Sequence, residues 1–169
     1  MNYSGIKYTD MINGEGIRVS IFVSGCSHYC KDCFNSDTWD PNFGLPFTEE
    51  VENEILAYFT KYNASIKGLS LLGGDPTYIH NIKPLVSFLN KFKAAFPMKD
   101  IWIWSGFTWE AIIQDSTLLS LVEMCDILVD GKFRIEEKDL NLKWRGSKNQ
   151  RVIDIKKSLE LKETIKYIE

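Results

Sequence analysis

Two hydrophobic rhythms alternate along the chain. Arg18-Val19-Ser20-Ile21-Phe22-Val23, Lys67-Gly68-Leu69-Ser70-Leu71-Leu72, Asp100-Ile101-Trp102-Ile103-Trp104 and Asp126-Ile127-Leu128-Val129-Asp130 are short apolar runs bounded by turn residues. Their β-branched and aromatic content predicts four buried strands. Arg151-Val152-Ile153-Asp154-Ile155 predicts a fifth. Between the runs, apolar residues recur at helical spacing. Val51, Ile55, Leu56 and Phe59 form one stripe behind Thr48, a helix-capping residue type, with Glu49 and Glu50 in the first turn. Ile82, Leu85, Val86, Leu89 and Phe92 form a second, running to Phe96 and stopped by Pro97. Shorter helical stretches are expected behind Thr108, with Trp109, Ile112 and Ile113, and from Leu118 to Met124.

Strands alternating with helices predict βα units and a parallel sheet. The expected fold class is α/β, a single compact domain over residues 1–169 with the sheet curved into an incomplete parallel β/α barrel. A complete eight-unit barrel needs roughly 200–250 residues, more than the 169 present. Right-handed crossovers gather the segments after the strands at one sheet edge, where ligands bind in such folds. Those segments are the loop after Val23, Gly73-Gly74-Asp75-Pro76, Ser105-Gly106-Phe107 and Asp130-Gly131. Residues 1–16 end in a turn-rich loop, Asn13-Gly14-Glu15-Gly16, and residues 34–47 read as a loop packed by its own side chains. Residues 142–150 are irregular, and the tail from Lys156 is polar.

Composition narrows the function classes. A formal charge of -3 and a pI near 5.5 supply no basic surface for nucleic acid. No apolar run approaches the ~20 residues that cross a bilayer, and Met1-Asn2-Tyr3-Ser4-Gly5 lacks a signal-peptide pattern. The expected location is cytoplasmic, where thiols stay reduced and clustered cysteines point to metal or redox chemistry. Three of the four cysteines fall in Cys26-Ser27-His28-Tyr29-Cys30-Lys31-Asp32-Cys33, spaced C-x3-C-x2-C directly after a predicted strand. The fourth, Cys125, lies in an apolar surround and reads as a small buried hydrophobe.

Soft thiolates select zinc, copper(I) or iron–sulfur clusters. Three of them on one loop leave a coordination position open. A structural zinc site, completed by His28 or Cys125, is the competing reading. Such sites are usually built from two ligand pairs a dozen or more residues apart. No second pair exists here, and His28 sits between two of the cysteines. Spacing and ligand count therefore favour an iron–sulfur cluster over zinc. Gly73-Gly74-Asp75-Pro76 is either a plain tight turn or a place where a ligand lies against backbone, suited to the ammonium and carboxylate of an amino acid.

C-x3-C-x2-C after the first strand run, with Gly-Gly-Asp-Pro after the next, resembles the radical S-adenosylmethionine superfamily. Within it, the chain is similar to the activating proteins of anaerobic (class III) ribonucleoside-triphosphate reductases. The likeness runs through Asn13-Gly14-Glu15-Gly16-Ile17-Arg18, Phe22-Val23-Ser24-Gly25-Cys26, Cys33-Phe34-Asn35, Thr38-Trp39-Asp40, Leu69-Ser70-Leu71-Leu72-Gly73-Gly74, Asp126-Ile127-Leu128-Val129-Asp130-Gly131, Trp144-Arg145-Gly146-Ser147 and Asn149-Gln150-Arg151. The superfamily usually has an aromatic or apolar residue before the third cysteine and Glu after the two glycines. Here Asp32 and Asp75 stand at those places.

The resemblance implies the partial barrel of the radical S-adenosylmethionine type. It implies a 4Fe-4S cluster on Cys26, Cys30 and Cys33, the catalytic and metal-binding residues, with S-adenosylmethionine bound to the fourth iron. One electron then yields methionine and a 5'-deoxyadenosyl radical, which takes hydrogen from a glycine of the reductase large subunit. Cofactor contacts are expected from Asp32, Cys33, Phe34, Gly73, Gly74, Asp75, Ser105 and Asp130, with Gly74 meeting the methionyl ammonium. A flavodoxin- or ferredoxin-type donor would supply the electron. Phe107 and Trp109 belong either to the site or to the core, and Arg145, Lys148 and Arg151 would flank the opening and dock the partner. The alternatives are a small-molecule enzyme like 7-carboxy-7-deazaguanine synthase and a non-catalytic zinc-binding module. A plain electron carrier fits the open position and the Gly-Gly turn poorly.

Overall fold

In the computed structural model, which describes residues 1–168, seven strands form one sheet. They are β1 (Asn2–Asp10), β2 (Arg18–Val23), β3 (Leu45–Pro46), β4 (Gly68–Gly73), β5 (Asp100–Ser105), β6 (Ile127–Asp130) and β7 (Arg151–Asp154). The spatial order is β3-β1-β2-β4-β5-β6-β7. Helices α1 (Glu49–Lys61), α2 (Ile79–Ala95), α3 (Trp109–Ile112) and α4 (Ser116–Val122) fall between the strands, and α5 (Ile155–Leu161) follows β7. Glu169, the last residue of the expected single domain, lies outside the described residues. No helix among these residues is long and apolar enough to cross a membrane.

The central strands β2, β4, β5 and β6 run parallel, joined through helices as the alternation predicts. The fully parallel sheet is corrected at both edges. β7 pairs antiparallel with β6, and β1 pairs antiparallel with β2 and β3. No crossover helix separates β6 from β7; residues 131–150 leave and re-enter at the same sheet edge, which antiparallel neighbours allow and parallel ones do not. β1 escapes the hydrophobic pattern because Gly5 and Lys7 interrupt it and most of its residues are only half-buried. Irregular register after Tyr3 and after Lys7 bends it further. Helix α5 escapes because Ile155 and Ser158 are its buried positions.

The main core lies between one sheet face and α1, α2 and α4. Val19, Ile21, Leu69, Leu71, Ile101, Ile103 and Leu128 point into it from the strands, against Ile55, Phe59, Leu85, Phe88, Phe92 and Leu121. Phe59 meets Phe92 edge-on, with centroids 4.8 Å apart. Cys125 is fully buried in the same core. Trp102, Ile127, Val129 and Val152 form a smaller cluster joined by Trp104 and Trp144. At its N-terminal end Arg18 is fully buried. Its guanidinium pairs with Asp100 at 2.7 Å, donates to Ser70 Oγ at 2.7 Å and to the Leu69 carbonyl at 2.8 Å, and lies over the Trp102 ring.

Candidate functional site

All four predicted edge segments contribute to one cavity of about 490 Å³ at the C-terminal edge of the central strands. Cys26, Cys30 and Cys33 line it from the loop after β2. Gly73, Gly74 and Asp75 line it after β4, Ser105 and Gly106 at the end of β5, and Gly131 after β6. Backbone hydrogen bonds lock the first two segments together. The Gly74 N–H donates to the Val23 carbonyl at 2.8 Å and the Asp75 N–H to the Gly25 carbonyl at 2.8 Å. The Gly25 N–H reaches the Thr38 carbonyl at 2.7 Å, which ties the loop's entry to the turn at Ser36–Trp39.

The cysteine loop closes tightly. The Cys33 N–H donates to the Cys30 carbonyl at 3.2 Å, and Tyr29 and Asp32 adopt φ of 50° and 55°. Aspartate tolerates this left-handed conformation better than aromatic or branched residues do. Asp32 therefore suits the turn, and its exposed side chain is not among the cavity-lining residues. All three loop cysteines are free thiols; Cys26 is buried and the others are half-buried. Burial pushes the Cys26 thiol up to about 11, opposed by the backbone N–H of His28. Burial also raises Cys30, opposed by the Phe133 backbone. The Asn35 N–H donates to Cys33 Sγ at 3.4 Å.

Among the described residues, no three His, Cys, Asp or Glu side chains converge on a single-ion site. Four-coordinate zinc would hold its sulfurs about 3.8 Å apart. A cubane cluster instead takes each thiolate on a different iron, which asks for a wider triangle. Three soft donors on one cavity wall, with backbone N–H groups at their sulfurs, fit a 4Fe-4S cluster in donor chemistry and hydrogen bonding.

The remaining expected residues divide. Asp75 is 2% exposed and receives hydrogen bonds from three directions. Ser105 lines the cavity, but its hydroxyl is engaged with Thr77 and Asp75 at 2.8 and 3.2 Å. Phe34 stands 63% exposed at the rim, its ring 5.3 Å from Phe133. Asp130 turns away from the cavity: its carboxylate takes the Trp109 N–H at 2.8 Å and the guanidinium of Arg151. Trp109 is core, 3% exposed, whereas Phe107 packs edge-on against His28 at 4.6 Å. Arg151 also binds Glu110 through two bonds, and this holds the Glu110 carboxyl down to about 2. Its charge is thus bound within the fold, whereas Lys148 is exposed and Arg145 lines the cavity.

Sequence reasoning missed Thr77, Lys132, Phe133 and Gln150. The last three line the cavity, and Gln150 lies in the same irregular stretch as Trp144-Arg145-Gly146-Ser147. Gln150 Oε1 accepts from the Gly146 N–H at 2.8 Å while its amide donates to the Gly131 carbonyl at 2.9 Å. It thereby fixes that stretch to the end of β6.

Comparison with known proteins agrees with this geometry. Residues 12–153 match the family described as a 4Fe-4S single cluster domain. An anaerobic ribonucleoside-triphosphate reductase-activating protein of Pasteurella multocida is 41% identical over 150 residues, covering 89% of this chain and 95% of its own. The protein of that name from Escherichia coli K12 is 39% identical, covering 89% and 96%. The one from Enterobacteria phage T4 is 42% identical over 154 residues, covering 90% and 93%. With a cysteine-lined cavity at the expected sheet edge and relatives of this identity over nearly its whole length, the chain belongs to the family of anaerobic ribonucleoside-triphosphate reductase-activating proteins.

Proposed function

We propose that this chain is the radical S-adenosylmethionine enzyme that installs the glycyl radical of an anaerobic ribonucleoside-triphosphate reductase. The observation that carries this reading is the shared cavity, into which three free thiols and a Gly-Gly turn face from neighbouring parallel strands. A reduced 4Fe-4S cluster held there would supply the electron for reductive cleavage of S-adenosylmethionine, the source of the radical that would take hydrogen from the reductase glycine.

The chain's own residues do the positioning. Cys26, Cys30 and Cys33 would hold the cluster through their thiolates. The amides of Gly74 and Asp75 already donate to Val23 and Gly25. The turn therefore offers its carbonyl side to a ligand, the side an ammonium needs. Lys132 and Arg145, also lining the cavity, place positive charge where the methionyl carboxylate must be balanced. Contact through Asp32, Phe34 and Ser105 is read as backbone or rim contact, and Asp130, tied to Arg151 and the Trp109 amide, braces the end of β6 beside the cavity. The sheet is open, with β3 at one edge and β7 at the other. That supports a single-domain partial barrel whose lateral gap admits a loop of another protein. Arg145 and Lys148 flank the gap, the electron donor is of the flavodoxin or ferredoxin type, and the location is the cytoplasm.

The test is to reconstitute the protein with iron and sulfide without oxygen, reduce it, and add S-adenosylmethionine and the reductase. A protein-bound glycyl radical in the electron paramagnetic resonance (EPR) spectrum of the reductase is the expected result. S-adenosylmethionine cleavage without that radical would move the substrate to a small molecule. Absence of both would remove the enzyme reading.

A further inference from the structure

Three segments of the sheet edge meet on the carboxylate of Asp75. Its Oδ1 accepts from the Thr77 N–H at 2.7 Å and the Thr77 hydroxyl at 2.6 Å. Its Oδ2 accepts from the Gly106 N–H at 3.0 Å and the Ser105 hydroxyl at 3.2 Å, and faces His28 Nε2 at 2.7 Å. A carboxylate in this setting accepts, so Nε2 carries the proton. Both side chains are shielded, 6% exposed for His28 and 2% for Asp75.

The surroundings are cut to fit this imidazole. Phe107 packs edge-on against the ring. A Cβ on Gly106 would lie 2.3 Å from His28 Cδ2, so only glycine leaves the ring its place. A glutamate at position 75 would carry its carboxylate one methylene further, into space that the ring and the Gly106 amide occupy. The shorter aspartate and the histidine thus fill one site together. Within the loop, His28 stands two residues from both Cys26 and Cys30, and its neighbour Tyr29 is 64% exposed against Trp39.

We propose that His28 and Asp75 are a positioning pair that pins the middle of the cysteine loop to the ends of β4 and β5. The pair presets the spacing of Cys26 and Cys30 before iron arrives, and neither residue ligates iron. The idea rests on the cluster reading above but makes a claim about the iron-free protein as well. Ordering a loop before binding lowers the entropy that binding must overcome. Loss of the pair therefore loosens the loop without iron and weakens its grip on iron.

The experiment compares wild type, His28→Leu, Asp75→Asn and the double variant. Amide hydrogen exchange is read on the iron-free proteins, and the rate of iron loss to a chelator on the reconstituted ones. Each single variant is expected to speed exchange across residues 26–34 by about tenfold while α2 stays protected. Each should also speed iron loss by about tenfold. The double variant should lose iron no faster than the worse single, because the contact is broken once. Wild-type exchange and iron loss in His28→Leu, or multiplied effects in the double variant, would overturn the proposal. His28→Leu removes the donor, keeps an apolar side chain against Phe107 and leaves Asp75 its bonds from Thr77, Ser105 and Gly106, so it decides the matter even if Asp75→Asn, which also faces Thr77 and Gly106, fails to fold. A wild-type protein that takes up no iron and sulfide would sink the cluster reading, while the iron-free exchange comparison would still judge the pair.

Discussion

Gly74→Ala puts a methyl group where the two chemistry-bearing segments touch. The new Cβ would lie 2.6 Å from the Gly25 carbonyl oxygen and 2.9 Å from that of Thr38, against 3.4 Å for the start of ordinary contact. Neither oxygen can retreat freely. Gly25 O accepts the Asp75 N–H at 2.8 Å, and Thr38 O accepts the Gly25 N–H at 2.7 Å. The methyl therefore separates the turn from the strand end and breaks both bonds. At about 1–1.5 kcal/mol for each, the loss is about 2–3 kcal/mol. For a chain of this size that lowers Tm by roughly 5–10 °C. Because the displaced segment begins the cysteine loop, iron uptake and S-adenosylmethionine affinity should fall with it. Gly5→Ala is the control, since nothing lies within 4 Å of its added Cβ. The assays are thermal unfolding of the iron-free protein, iron content after reconstitution and a cofactor titration. A Gly74→Ala variant with unchanged Tm and affinity would refute the packing of the turn on the loop.

Three further outcomes follow from the buried and paired groups. Arg18→Leu takes the charged partner from Asp100 and the donors from Ser70 Oγ and the Leu69 carbonyl, and should cost about 3 kcal/mol, seen as a Tm lower by roughly 6–12 °C; an unchanged Tm would contradict the network. Cys125→Ala removes a thiol sealed in the core and should cost about 1 kcal/mol while leaving iron and sulfide content intact; loss of iron would make Cys125 a ligand. Arg151 holds Glu110 at about 2, below its ordinary 4.5. A depressed folded-state value gives stability above the unfolded value that is lost as pH falls toward 2. Melting between pH 5 and 2 should therefore fall more steeply for wild type than for Glu110→Gln, by a modest amount because Glu110 is half exposed; parallel curves would contradict the pairing.

The chemistry-bearing edge was legible because buried parallel strands are written as nearly unbroken apolar runs, and each run here ends in its own turn residues. Strand direction was not, because alternation carries no sign: β7 reads the same whichever way it runs. β1 was hidden by Gly5 and Lys7. The Cys spacing announced the metal chemistry, yet the partner of His28 lies 47 residues away and leaves no local mark. Asp130 was placed correctly on the edge, but only its packing against Arg151 and the Trp109 amide decides which way the carboxylate turns. Asp32 looked like a departure at a cofactor contact until its left-handed backbone supplied a conformational reason.

The central claim is that three thiolates hold an open cluster against the Gly-Gly turn. The direct measurement is S-adenosylmethionine cleavage by the anaerobically reconstituted, reduced protein, with iron and sulfide counted on the same sample. Release of 5'-deoxyadenosine and methionine by wild type, abolished by Cys26→Ala, Cys30→Ala or Cys33→Ala but kept by Cys125→Ala, is the predicted result. A colourless, zinc-loaded protein that leaves S-adenosylmethionine intact would contradict it.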